Sequence, residues 1–127
     1  MRIILLAGLV AAVSASCAPP ATERTARDPN VITSTELAAS QATNAFDAVR
    51  MLRPNFLNSR GPTTISGADT GYPRVYLDRV LFGDINSLKN LSLNGIREIH
   101  YYNGPEASGR FGLDNVSGAI EVISASR

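Results

Sequence analysis

His100 is the single histidine of the chain and Cys17 its single cysteine, so the residues that most often bind metals or attack substrates occur once each. A zinc-type centre takes three or four ligands from His, Cys, Asp and Glu, and neither residue has a second histidine or thiol at ligand spacing. His100 therefore reads as a surface imidazole on the more polar side of a strand. Serines are plentiful, but none stands in a nucleophile-elbow sequence, and a Ser/His/Asp set can be assembled only by choosing residues at will. A hydrolase built on a loop serine stays as the remote alternative. Glu98 and Glu121 fall on strands that could be neighbours, where facing carboxylates are expected to be solvated or bridged by Arg97 rather than tuned for proton transfer. Gly109-Arg110-Phe111-Gly112 lacks the strand–turn–helix context of a phosphate-binding loop. The expectation is a protein without catalysis, cofactor or metal.

Arginine is what remains. Arg53, Arg60, Arg74 and Arg79 sit next to turns and loops that would surround one end of a sheet, and they are candidates for an anionic-ligand or partner-binding surface. Scattered ion pairs on a solvated face are the plainer reading of the same residues. Tyr76, Tyr101 and Tyr102 pose a similar choice between interface and packing. The net charge of +1 falls to zero once Arg2 leaves with a signal peptide, and Lys89 is the sole lysine. Without a basic stripe, nucleic acid is not an expected partner.

The elements that must position these groups begin after an export signal. Met1-Arg2, an apolar run from Ile3 to Val13 and the small residues Ser14-Ala15-Ser16 form a secretory leader over residues 1–16, too short for a stop-transfer helix. A lone thiol just behind it cannot close an internal disulfide. The mature chain of about 110 residues suffices for one domain with one core. Residues 17–30 carry Pro19, Pro20 and Pro29 without apolar periodicity and read as a tether. Residues 31–127 form the folded domain.

Thr33-Ser34-Thr35-Glu36 matches a capping box, which predicts a helix from Ser34 to Ser40. A second helix starts near Thr43-Asn44, with Phe46, Val49 and Leu52 inward and Asp47, Arg50 and Arg53 in water. Pro54 ends it, and Arg53 before it should turn extended and carry Asn55-Phe56-Leu57 onward. Asn58 to Gly71 reads as a loop, with a short extended piece at Thr63-Thr64-Ile65. Val75 and Leu77 alternate with Arg74 and Tyr76 as in a half-buried strand, and Asp78-Arg79 should turn the chain so that Val80-Leu81-Phe82 runs back beside it. Leu88 and Leu91 belong to a short helix. Ile96 to Tyr102 is a strand with Ile99 and Tyr101 on one face and Glu98, His100 and Tyr102 on the other. Pro105 opens another short helix. Ala119 to Ser124, apolar on both faces over much of its length, should pair with the Ile96 strand near the middle of a mixed sheet.

Two resemblances follow. Cys17, directly after small residues, is similar to the cysteine that bacterial lipoproteins acylate, which implies a lipid anchor; cleavage after Ala15, leaving a soluble periplasmic protein, is the alternative. The series Val75-Tyr76-Leu77-Asp78, Ser87-Leu88, Ile96-Arg97-Glu98-Ile99, Phe111-Gly112 and Gly118-Ala119-Ile120-Glu121-Val122-Ile123 resembles the plug domain of TonB-dependent outer-membrane receptors, and Ile32 to Leu52 is similar to a plug's opening. That likeness implies an α+β fold with a small mixed sheet and several short helices. Where the plug pattern has Asp-Gly, this chain has Asp78-Arg79, which costs roughly 1 kcal/mol if the hairpin geometry is kept and leaves another turn type open. No barrel follows Arg127, so the expectation is a non-catalytic, outer-membrane lipoprotein that faces the periplasm or the cell surface and binds a partner protein or an exported ligand. The alternative is a detached plug that regulates a separate barrel protein.

Overall fold

The computed structural model describes residues 27–61 and 70–125. The leader, Cys17 and the Thr63–Ile65 piece therefore lie outside the described residues. The fold is α+β: strands β1 (Val31–Thr33), β2 (Arg74–Leu77), β3 (Val80–Gly83), β4 (Ile96–Tyr102) and β5 (Ala119–Ser124), with helices α1 (Ser34–Ala39), α2 (Ala45–Leu52) and α3 (Gly104–Phe111). The five strands form one sheet in the order β1-β4-β5-β2-β3. β5 runs parallel to β2 and antiparallel to β4, which makes the sheet mixed and puts the most apolar strand in its middle. Asp28 and Asn30 already belong to the fold, since Val31 donates its N–H to the Asp28 carbonyl and Tyr101 donates to the Asn30 carbonyl.

One face of the sheet carries Ile32, Val75, Ile99, Ile120 and Val122 and packs against Leu37, Ala45, Ala48, Val49, Phe56 and Leu88 as the main core. α1 starts at the predicted capping box: the Thr33 hydroxyl accepts the Glu36 N–H, and the Glu36 carboxylate accepts the Thr33 N–H. α2 starts at Asn44, whose side-chain oxygen accepts the Asp47 N–H at 2.9 Å. The deepest residues of α2 are Ala45, Ala48 and Val49, while Phe46 and Leu52 flank them. Two alanines allow the helix to lie close on its neighbours, so the larger side chains spread to the sides of the stripe rather than forming its centre.

Arg53 does not face water. Its guanidinium bonds Glu36 at 3.1 Å and the Pro29 carbonyl at 3.2 Å, strapping the end of α2 to α1 and to the segment before β1. Past Pro54 the chain turns inward at once. Pro54–Leu57 is a single 3-10 turn, and it drives Phe56 into the core, stacked on Tyr101 at 4.9 Å. Proline fits the first turn of such a helix because it has no N–H to satisfy there, and Arg53 just before it takes the non-helical backbone that proline imposes.

The opposite face is covered by α3, whose Ala107 and Phe111 pack over Tyr76, Ala119 and Tyr102. Asn103 caps this helix in a second capping box with Glu106, and Pro105 sits in its first turn. A Cβ on Gly104 would overlap the Val116 carbonyl oxygen, so only glycine lets α3 and the 112–118 connection touch there. Glu121 is buried beneath α3 rather than solvated beside Glu98. The register puts Glu121 across from His100 and Glu98 across from Ile123. Arg110, not Arg97, forms the ion pair with Glu121 at 3.4 Å, and the Tyr102 hydroxyl donates to it at 3.0 Å.

Candidate partner-binding face

β2 and β3 are joined by a two-residue turn in which Asp78 and Arg79 both have positive φ, +47° and +72°. The turn thus keeps the primed hairpin geometry that glycine would favour, with an arginine in the second place. Asp78 is fastened to the end of β5: the Ser124 hydroxyl donates to it at 2.6 Å and the Ser124 N–H at 2.9 Å. Those two bonds, the hydroxyl first, outweigh its partial burial and, with the Arg97 charge, hold the Asp78 carboxyl below its usual range.

β3 lies at the outer edge of the sheet with Val80, Leu81 and Phe82 exposed by 69%, 54% and 40%. Strands that edge a soluble sheet ordinarily carry charge or proline there. Tyr72, Leu113 and Val116 are exposed as well. Tyr72 and Leu81 line one groove of about 220 Å³ together with Arg74, Asp84, Asp114 and Ser117, and Leu113 and Val116 are chain neighbours of its lining residues. Met51 apart, every exposed large hydrophobic among the described residues is therefore on β3 or beside this groove. The groove wall is fixed from below: the Tyr76 hydroxyl donates to the Asn115 side chain at 2.9 Å, and Asn115 donates to the Gly112 carbonyl at 3.0 Å. Gly118, at φ +100°, passes so close to the Tyr102 carbonyl that a Cβ would stand 2.8 Å from it.

The four candidate arginines do not form one cluster. Arg53 is a structural strap. Arg60 holds its guanidinium 5.9 Å from the centre of the Tyr101 ring, and its backbone N–H donates to the Gly71 carbonyl. Arg74 opens β2 and lines the apolar groove, while Arg79 follows the other end of the same strand. Among the described residues, no carboxylate lies within ion-pairing distance of Arg74 or Arg79.

A larger, open concavity of about 520 Å³ lies on the α3 side, lined by Asp28, Val31, His100, Tyr102, Glu106 and Arg110. Three of its side chains, His100, Tyr102 and Arg110, are engaged by carboxylates outside the lining. Arg110 pairs with Glu121 and lies 4.9 Å over the Tyr102 ring, and His100 bonds Glu98 at 2.8 Å. Burial first, and then the Glu121 carboxylate it donates to, push the Tyr102 hydroxyl above its ordinary value. No serine hydroxyl among the described residues bonds His100; those of Ser40, Ser59 and Ser87 donate to backbone carbonyls instead. Among the described residues no group of three His, Cys, Asp or Glu side chains could hold a metal ion, and no helix is long and apolar enough to cross a membrane.

The sequence signal for this face is the apolar run Val80-Leu81-Phe82, whose place at the edge depends on the strand order of the whole sheet. The buried Glu121 left no such signal, since its cover comes from Arg110 and Tyr102 on other elements. No known protein family, no curated protein and no solved structure matches the chain.

Proposed function

We propose that this protein is an exported, lipid-anchored, non-catalytic binding module with a plug-like fold, and that another envelope protein seats on the β2–β3 face. The observation that carries the reading is the gathering of exposed Tyr72, Val80, Leu81, Phe82, Leu113 and Val116 along the β3 edge of the sheet and beside its groove. Contiguous apolar surface on a soluble domain marks interaction sites. The leader and the similarity of Cys17 to an acylated cysteine supply the compartment, and the tether gives the domain reach from a membrane surface.

A photoreactive residue placed at Leu81 of the full-length protein in cells tests it, with Met51 as an equally exposed control. The expected result is a discrete protein adduct from Leu81 and none from Met51. Equal labelling from both positions, or none from Leu81, removes the reading. A β-barrel protein in the adduct identifies the module as a detached plug or accessory subunit. Cys17→Ser should move the protein from the membrane to the soluble periplasmic fraction; continued membrane association removes the lipid anchor.

A further inference from the structure

We infer that the β2–β3 face takes an extended apolar segment of the partner that carries a carboxylate, with Arg79 as the residue that recognises that charge. This rests on the reading of the face as a partner site and names what it selects. Arg79 is exposed, stands next to Val80 and Leu81, and occupies a left-handed backbone position that a glycine would take without strain. Its charge is unpaired among the described residues. The carboxylate beside it in the turn, Asp78, is already engaged by Ser124. Arg74, also without a carboxylate in ion-pairing distance among the described residues, opens β2 at the other end and shares its groove with Asp84 and Asp114. The cation left without acidic neighbours in that groove is therefore Arg79, and an apolar strand ending in it complements an apolar segment bearing an anion.

The backbone narrows the occupant further. Leu77 and Val80 flank the two-residue turn as its hydrogen-bonded pair, so the next residue, Leu81, points its own N–H and C=O away from β2. Beyond Leu81 the register with β2 shifts, between Val75 and Tyr76, and interrupts the edge. One outward peptide step anchors an extended segment in place, and side chains must supply the rest. A second copy fits poorly. Symmetric antiparallel pairing centred on Leu81 sets Asp78 against Asp84 of the other copy, and like charges directly opposite are unfavourable.

The test uses the full-length protein in detergent and seven-residue fluorescent peptides of alternating valine and threonine, ending in glutamate, glutamine or lysine. Anisotropy should show the glutamate peptide binding at least tenfold tighter than the lysine peptide. Arg79→Gly should bring the two within about twofold while raising the melting temperature, so that loss of folding cannot account for the change. Arg50→Ala, a charge removed from the far side of α2, should leave the ratio unchanged, and Leu81→Glu should abolish binding of all three. Arg79→Gly that preserves the preference, or peptides bound without regard to charge, overturns the inference. So does a concentration-dependent dimer dissolved by Leu81→Glu, which makes the occupant a second copy. A specific adduct at Leu81 in cells together with charge-blind peptide binding defeats this inference alone; no adduct and no peptide binding defeats the functional reading beneath it.

Discussion

Two arginines in this small domain show the difference between a charge that holds the fold and a charge that is left available. Arg53 sits at the corner of α1, α2 and β1, with its side chain only 20% exposed and its guanidinium shared between a carboxylate and two carbonyls. Arg79 sits on the β2–β3 turn, exposed, with strained backbone and, among the described residues, no carboxylate within ion-pairing distance. Around Arg53 the hydrophobic residues are inside, Phe56 and Leu37 among them; around Arg79 they are outside, on β3. Structure is concentrated at the first corner. The second has surface and charge that the fold itself does not use.

The largest expected effect breaks that contrast at its apolar residues. Phe56→Ala should cost about 3–5 kcal/mol, because it removes a buried ring from the core and leaves a cavity under Tyr101. Phe82→Ala, on the exposed strand, should change stability by no more than about 0.5 kcal/mol. Urea unfolding of the two variants checks both; similar losses would mean that β3 is as much a part of the core as the Pro54–Leu57 turn.

Arg53→Ala should come next, at about 1–2 kcal/mol, since it leaves a mostly buried Glu36 without its charge partner. Burial works to raise the Glu36 carboxyl, but the Thr33 N–H and Arg53 together outweigh it and hold the group below its ordinary value. A lowered folded value means stability that is present above the unfolded value and lost as pH falls through the folded one. The deficit of Arg53→Ala should therefore be largest near neutral pH and shrink in acid. Arg79→Gly should go the other way, gaining up to about 1 kcal/mol by releasing the left-handed arginine. A loss there would show that Arg79 holds the fold as Arg53 does, and the comparison would collapse.

The parts of this contrast that were legible in the sequence are those governed by local chemistry. Thr33 with Glu36, Asn44, Pro105 and the alternation of Val75 and Leu77 each act through near neighbours, and each element appears where they place it. The order of β4 and β5 at the centre of the sheet followed from their apolar content. What was hidden depended on distant partners. Arg53 read as solvent-facing because helical period places it beside Asp47 and Arg50, while Glu36 and Pro29 approach it from across the chain. Glu121 read as open because alternation marks it polar, while Arg110 and Tyr102 that cover it come from elements far away in sequence. The burial of Phe56 had no local signal, because proline biases only the residue before it, and a 3-10 turn after Pro54 satisfies that bias and buries the ring as well.

The smallest effect concerns the fastening that presents Arg79. Asp78 is tied to the end of the central strand by the Ser124 hydroxyl and N–H, so the turn that carries Arg79 is held against β5 rather than left to fray. The Asp78 carboxyl is lowered mainly by that hydroxyl, so the folded state takes up a proton less readily than the unfolded chain. Its contribution is thus present above the ordinary carboxylate range and disappears as pH falls through the lowered folded value. Ser124→Ala removes the hydroxyl and keeps the N–H bond; at this exposed site it should cost only a few tenths of a kcal/mol at pH 7. In acid strong enough to protonate Asp78 in both folded proteins, the unfolding midpoints should converge. A difference that stayed constant with pH would place the role of Ser124 in packing at the end of β5. In that case the hairpin would be held by its backbone ladder, and Arg79 would owe its position to the turn alone.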